Sequence, residues 1–125
     1  MLTFKRKLGD LGEKIALDYL KRENYNILDR NYQKKWGEID IVAQKDKQEI
    51  VFIEVKTRKK VLDNSIGPED SVGVSKQKRL IRTAQIYLLE KRYSEETAWQ
   101  IDVIAVELDE KTRKADLKHI KNAVW

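Results

Sequence analysis

The chain has 125 residues, 41% of them hydrophobic, which is enough for one domain with a proper core. It carries 26 Lys and Arg against 21 Asp and Glu, a net charge of +5, which suits a polyanionic partner without requiring one. There is no cysteine, which excludes a disulfide scaffold, thiol catalysis and Cys-bound zinc; no apolar run approaches the ~20 residues of a membrane helix.

The apolar residues fall in periodic blocks, which argues against disorder. Met1 to Lys7 is charged, with no apolar signal core after it. A cytoplasmic protein with no membrane partner is therefore expected. Phe4, Leu8, Leu11, Ile15 and Tyr19 recur at helical spacing and predict a first helix from about Phe4 to Asn24. Gly9, Gly12, Ala16 and Leu20 border that stripe. Glycine inside a helix costs about 1 kcal/mol relative to alanine, so two of them predict a close approach to a sheet.

Tyr25 to Tyr32 reads as a first strand, Gln33 to Lys35 as a polar turn and Glu38 to Gln44 as a second strand. Lys45 to Gln48 turns into a third strand, Glu49 to Thr57. Both central strands are rich in β-branched residues and apolar on both faces, which predicts helices packed on one or both sides. Arg58 to Val74 lacks periodicity, holds Gly67-Pro68 and Gly73, and reads as a long mobile loop. Ser75 is the expected N-cap of a second helix, Lys76 to about Lys91, with Leu80, Ala84, Tyr87 and Leu88 as its stripe. Trp99 to Leu108 and Ala115 to Ile120 are the last strands, joined by a turn at Asp109 to Thr112. The order is helix, three strands, helix, two strands: an α/β fold with a mixed sheet and flanking helices.

Two acids stand inside the central strands. Gly37-Glu38-Ile39-Asp40 and Glu54-Val55-Lys56 are separated by 13 residues between Asp40 and Glu54, enough for one hairpin. An unpartnered buried carboxylate costs several kcal/mol, so such groups bind a metal, accept hydrogen bonds or pair with a cation. With suitable register, Asp40, Glu54 and Lys56 converge near one end of the hairpin. Asp40 and Glu54 offer hard oxygen ligands for Mg²⁺ or Mn²⁺, and the carbonyl of Val55 could add a third. Lys56 could orient or help deprotonate an attacking water, or stabilise charge on a phosphate. That chemistry suits phosphodiester hydrolysis. Glu13 projects past the small border of the first helix, where close packing could bring it inward.

Gly9-x-x-Gly12-Glu13-x-x-Ala16, Gly37-Glu38-Ile39-Asp40 and Glu54-Val55-Lys56-Thr57-Arg58 occur in that order. Gly67-Pro68-Glu69, Lys76-Gln77-Lys78-Arg79-Leu80 and Asp102-Val103 follow. Together they resemble a family of small bacterial proteins of the PD-(D/E)XK nuclease superfamily, similar to archaeal Holliday-junction resolvases. The resemblance spans roughly Gly9 to Val106. It implies a restriction-endonuclease-like fold and a metal-dependent deoxyribonuclease acting on DNA, branched DNA included. Asp40, Glu54 and Lys56 fall on the core motif, and Glu13 on the helix glutamate of the resolvases. Ile39 stands where the superfamily's proline would precede Asp40. By analogy, cutting two strands of a junction implies a homodimer.

Plainer readings stand beside these. Asp40, Glu54 and Lys56 could form a structural ion-pair cluster, and Glu13 a solvated helix residue. Arg58, Lys76, Lys78, Arg79 and Arg82, with Lys59 and Lys60, flank the site in sequence and could bind phosphates or simply face water. Glu38 reads as a rim group, Gln77 as site or core edge, and Asp102 as a hydrogen-bonded strand acid. His119, the lone histidine, is expected to have no catalytic role. Of the tryptophans, only Trp36 lies near the motif; Trp99 and Trp125 read as core or interface. The rival to a nuclease is a nucleic-acid-binding module of the same fold with little or no activity.

Overall fold

The computed structural model describes residues 4–46, 49–60 and 72–124. The elements are α1 (Phe4–Arg22), β1 (Asn26–Lys34), β2 (Gly37–Lys45), β3 (Glu49–Lys59), α2 (Val74–Glu90), β4 (Ala98–Leu108) and β5 (Ala115–Val124). They form one five-stranded sheet in the order β1-β2-β3-β4-β5. Neighbours are antiparallel except β3 and β4, which run parallel and are joined through α2. A parallel pair needs such a long crossover, so the second helix is a consequence of the pairing. The mixed sheet, the two helices and their order agree with the expected α/β fold.

The central strands are buried on both sides, as their uniform apolarity requires. Ile41, Ala43, Val51 and Ile53 pack under Ala16, Leu17 and Leu20 of α1. Val42, Ile50, Phe52 and Val103 pack under Leu80, Ala84 and Tyr87 of α2. Trp99 meets Phe52 edge-on at 5.9 Å and belongs to the core periphery, as expected.

Several local expectations need correction. The buried face of α1 is centred on Gly12, Ala16, Leu17 and Leu20, whereas Leu11 is 48% exposed. The side that meets the sheet runs along Gly12, Ala16 and Leu20 of the predicted border, with Ile15 and Tyr19 of the predicted stripe packed beside it and Gly9 exposed. The reason is Gly12: a Cβ there would overlap the Thr57 side chain of β3, so only glycine permits this approach. Ser75 does not cap α2. The N-cap is Gly73, in extended conformation with no side-chain cap bond, and its carbonyl accepts the Gln77 N–H at 2.9 Å. Asn24 does stop α1, at φ 67, with Tyr25 N–H bonded to the Leu20 carbonyl at 2.9 Å. Of the predicted loop, Arg58 and Lys59 end β3 and Val74 opens α2, while 61–71 lies outside the described residues, as does Trp125. The last strand runs on to Val124. Among the described residues no helix is long and apolar enough to cross a membrane.

Candidate active site

The ladder between β2 and β3 runs from Lys45 opposite Glu49 to Ile41 opposite Ile53, and then stops. Continued in register, it would set Asp40 against Glu54 and Ile39 against Val55. Instead the Val55 N–H donates to Asp40 Oδ2 at 2.8 Å. A side chain has taken the bond that a backbone carbonyl would have accepted. In an extended strand a residue's N–H and C=O point to the same edge, so the Val55 carbonyl faces the same gap.

The expected alternation along β2 also breaks here. Ile39 packs on the α2 side with Val42, whereas Ile41 packs on the α1 side. Strict alternation would have put Ile39 with Ile41. On β1, between the partners of Ile39 and Ile41, sits Asn31 with φ 52. The irregularity spans both strands and leaves Asp40 free to turn toward β3. Glu54 keeps its register: it lies on the α2 face with Ile50 and Phe52 and is 6% exposed. Lys56 follows on that face, half-buried.

Two close approaches bring the helices to this end of the sheet. Gly12 against Thr57 seats α1, and its neighbour Glu13 has a side chain only 15% exposed, with Oε1 3.5 Å from an Arg30 nitrogen. Gly37 against Thr83 seats α2, since a Cβ on Gly37 would lie 2.7 Å from the Thr83 hydroxyl. The first turn of α2 then delivers Lys76, whose Nζ is 2.6 Å from Glu54 Oε1.

The electrostatics follow from this crowding. The Asp40 carboxyl is pushed up to about 7, first by burial and then by the Glu54 charge, with Glu13 and Glu38 adding to it; the Val55 N–H opposes the rise. Lys76 is held above its ordinary value, chiefly by its bond to Glu54. Glu13 Oε1 and Glu54 Oε2 are the buried side-chain oxygens that lack a hydrogen bond among the described residues. Orphaned buried acceptors are unusual, and both lie here.

The donors fit a hard divalent cation in kind: Glu54 Oε2 lacks a hydrogen bond, and the Val55 carbonyl turns to the gap that Asp40 enters. Among the described residues no three acidic or histidine side chains form a metal cage. Mg²⁺ does not require one, since it normally keeps several waters beside one or two carboxylates.

The flanking residues divide. Glu38 is exposed at the rim and accepts a 3.3 Å bond from Gln33. Gln77 turns away from the acids and donates to the Val72 carbonyl at 2.6 Å. Arg58 Nε pairs with Glu107 Oε2 at 3.1 Å, and Lys59 with Glu110 at 2.5 Å. Lys78, Arg79 and Arg82 are exposed on α2, and Arg82 lies over the Trp36 ring at 5.4 Å. Sequence reasoning missed Glu107 as the Arg58 partner and Lys76 as the Glu54 partner. No spacing signal carries either, because both depend on the parallel pairing of β3 with β4 and on the crossover helix. Asp102 is a hydrogen-bonded strand acid, as expected, bound to Gln100, Asn122 and His119.

Residues 12–106 match the family described as Uncharacterised protein family UPF0102. The stretch contains Glu13, Asp40, Glu54, Val55, Lys56 and Lys76. A UPF0102 protein of Clostridium botulinum (strain 657 / Type Ba4) is 43% identical over 118 residues, 94% of each chain. One from Caldicellulosiruptor saccharolyticus is 38% identical over 119 residues, 95% of this chain and 98% of the relative. The family match and the similarity over nearly the whole chain settle its kinship: the chain belongs to the UPF0102 family.

Proposed function

We propose that this protein is a metal-dependent endonuclease of the PD-(D/E)XK type acting on DNA. The observation that carries the reading is the splayed end of β2 and β3. There Asp40 is caught by the Val55 N–H at 2.8 Å while buried Glu54 keeps an oxygen without a hydrogen bond. Asp40, Glu54 and the Val55 carbonyl would hold Mg²⁺ or Mn²⁺. The cation, when bound, supplies Lewis-acid charge for phosphodiester hydrolysis. Lys56, on the Glu54 face, orients the attacking water or stabilises charge developing on the phosphate. Glu13 approaches from α1 and adds negative charge that favours a cation and a positioned water. Lys78, Arg79 and Arg82 offer exposed charge to the phosphate backbone. The test is a cleavage assay on branched, duplex and single-stranded DNA with Mg²⁺ or Mn²⁺ and an EDTA control. Cleavage that needs metal and is lost in Asp40→Asn supports the reading. Absence of cleavage on every substrate with either metal overturns it.

One observation favours a second reading, a nucleic-acid-binding module without activity. Glu54 already has a counter-charge in Lys76 at 2.6 Å, so the acids are partly neutralised from within. DNA binding that neither metal nor the Asp40→Asn variant alters would select it.

A further inference from the structure

We infer that Lys76 is a built-in counter-cation of the site: its ammonium holds a place on Glu54 that a divalent cation would take, and so limits how readily the site loads. This rests on reading Asp40 and Glu54 as cation ligands.

The two partners of this ion pair are unlike. The Glu54 side chain is 7% exposed and fixed on a central strand, whereas the Lys76 side chain is 46% exposed on the first turn of α2. The lysine can release its ammonium to water; the carboxylate cannot follow. Lys76 stabilises the Glu54 charge through Oε1, while Oε2 has no hydrogen bond. Asp40 and Glu38 also act on the ammonium, so it sits in the field of the acids that would attract a metal. A divalent ion and an ammonium on one carboxylate repel each other. By linkage, whatever Lys76 gains from Glu54 in the free protein is subtracted from the affinity for metal. The contact therefore makes loading depend on displacing the Lys76 ammonium, which lies one turn before the exposed Lys78 and Arg79 of α2.

The test is Mn²⁺ calorimetry on the full chain at physiological salt, with thermal melts of the same samples. Lys76→Met should bind Mn²⁺ at least roughly tenfold more tightly than wild type. Lys76→Arg should bind it more weakly, because a guanidinium fork grips a carboxylate more firmly. Lys78→Met removes one exposed charge from the next turn of α2 but should change Mn²⁺ affinity by less than about twofold, since exposed charges are screened. In melts, Mn²⁺ should stabilise Lys76→Met more than wild type. If Lys76→Met does not fold, the difference between wild type and Lys76→Arg decides the matter. Equal affinity across the Lys76 series, with binding lost in Glu54→Gln, overturns the inference and leaves the metal site standing. Equal tightening by Lys78→Met also overturns it. If wild type binds no Mn²⁺, the metal site falls and this inference with it.

Discussion

Asp40 and Asp102 each sit where a strand ladder is interrupted, and each accepts a backbone N–H that the interruption leaves unpaired. Asp40 takes the Val55 N–H where β2 and β3 separate; Asp102 takes the Asn122 N–H at the register shift between β4 and β5. From there they diverge. Asp102 is fully buried, yet its oxygens also accept from Gln100 at 2.8 Å and His119 at 2.7 Å. His119 in turn meets the Tyr19 hydroxyl at 2.8 Å, which ties β5 to α1. Around Asp40 three acids crowd together, Glu54, Glu13 and Glu38; Lys76 and Arg30 pair with two of them, yet two buried carboxylate oxygens still lack a hydrogen bond among the described residues. The same local device is completed by donors in one place and crowded by like charge in the other. A satisfied buried acid holds the fold; a crowded one is costly to keep charged, which makes it the place to look for a bound cation.

Substitutions can break this comparison. The largest effect should come from Lys56→Met, which should lower cleavage about a thousandfold, ~4 kcal/mol on the barrier, while DNA affinity stays within roughly tenfold. Water positioning is the task of one group, whereas phosphate binding is shared. Single-turnover kinetics and a binding titration separate the two. If Lys56→Met unfolds instead, the lysine is a structural partner of Glu54 and the contrast between the two acidic regions narrows. Asp102→Ala should act on stability: it strands His119, Gln100 and the Asn122 N–H, at a cost of about 3 kcal/mol in denaturant titrations. Cleavage at a temperature where it remains folded should stay near wild type.

Asp40→Asn should do the opposite of Asp102→Ala in metal-free protein. Asparagine keeps an acceptor for the Val55 N–H and removes a charge that its surroundings disfavour. With the folded pKa at about 7, the folded chain between pH ~4 and ~7 holds a proton that the unfolded chain has released. Stability from this group is complete below pH ~4 and is lost as pH rises through 7. Above that, Asp40→Asn should be the more stable chain, by on the order of 2 kcal/mol after allowance for its partial exposure. Urea titrations in EDTA at pH 4 and pH 8 check this: the two chains should differ little at pH 4 and clearly at pH 8. A less stable Asp40→Asn at pH 8 would make Asp40 a structural acid like Asp102.

Much of this was legible in the sequence, for identifiable reasons. The strands of the centre announce themselves because burial on both faces demands uninterrupted Ile, Val and Phe. Asp40 and Glu54 stand out against that background. Asn24 marks the end of α1 because few residues accept a left-handed conformation. What escaped depends on tertiary placement. The centre of the buried face of α1 lies to one side of the apolar stripe because helical spacing cannot weigh Gly12, whose missing side chain decides which face approaches β3. The break in alternation at Asp40 could not be foreseen, since it needs Asn31 on the neighbouring strand. The roles of Lys76 and Arg58 were hidden because their partners, Glu54 and Glu107, meet them only through packing of the crossover helix or across a parallel pair.

The basic residues repeat the same contrast on a smaller scale, and they carry the smallest predicted effect. Arg58 is held by a buried acid, Glu107, which is 3% exposed, whereas Lys78 is exposed on α2. A charge committed to a buried partner has little left for a phosphate; an exposed lysine keeps its charge available and releases counterions from DNA when it binds. Lys78→Ala should therefore weaken DNA binding modestly, by about 1 kcal/mol or less, and lower the slope of log affinity against log salt by about one. Its melting temperature should not change. Arg58→Ala should instead lower stability, because Glu107 is left buried without its partner, and should leave the salt slope near wild type. Anisotropy titrations at several salt concentrations, with melts on the same samples, distinguish the two. A slope that drops for Arg58→Ala and not for Lys78→Ala would mean that DNA approaches over the C-terminal end of β3 rather than over the N-terminal half of α2.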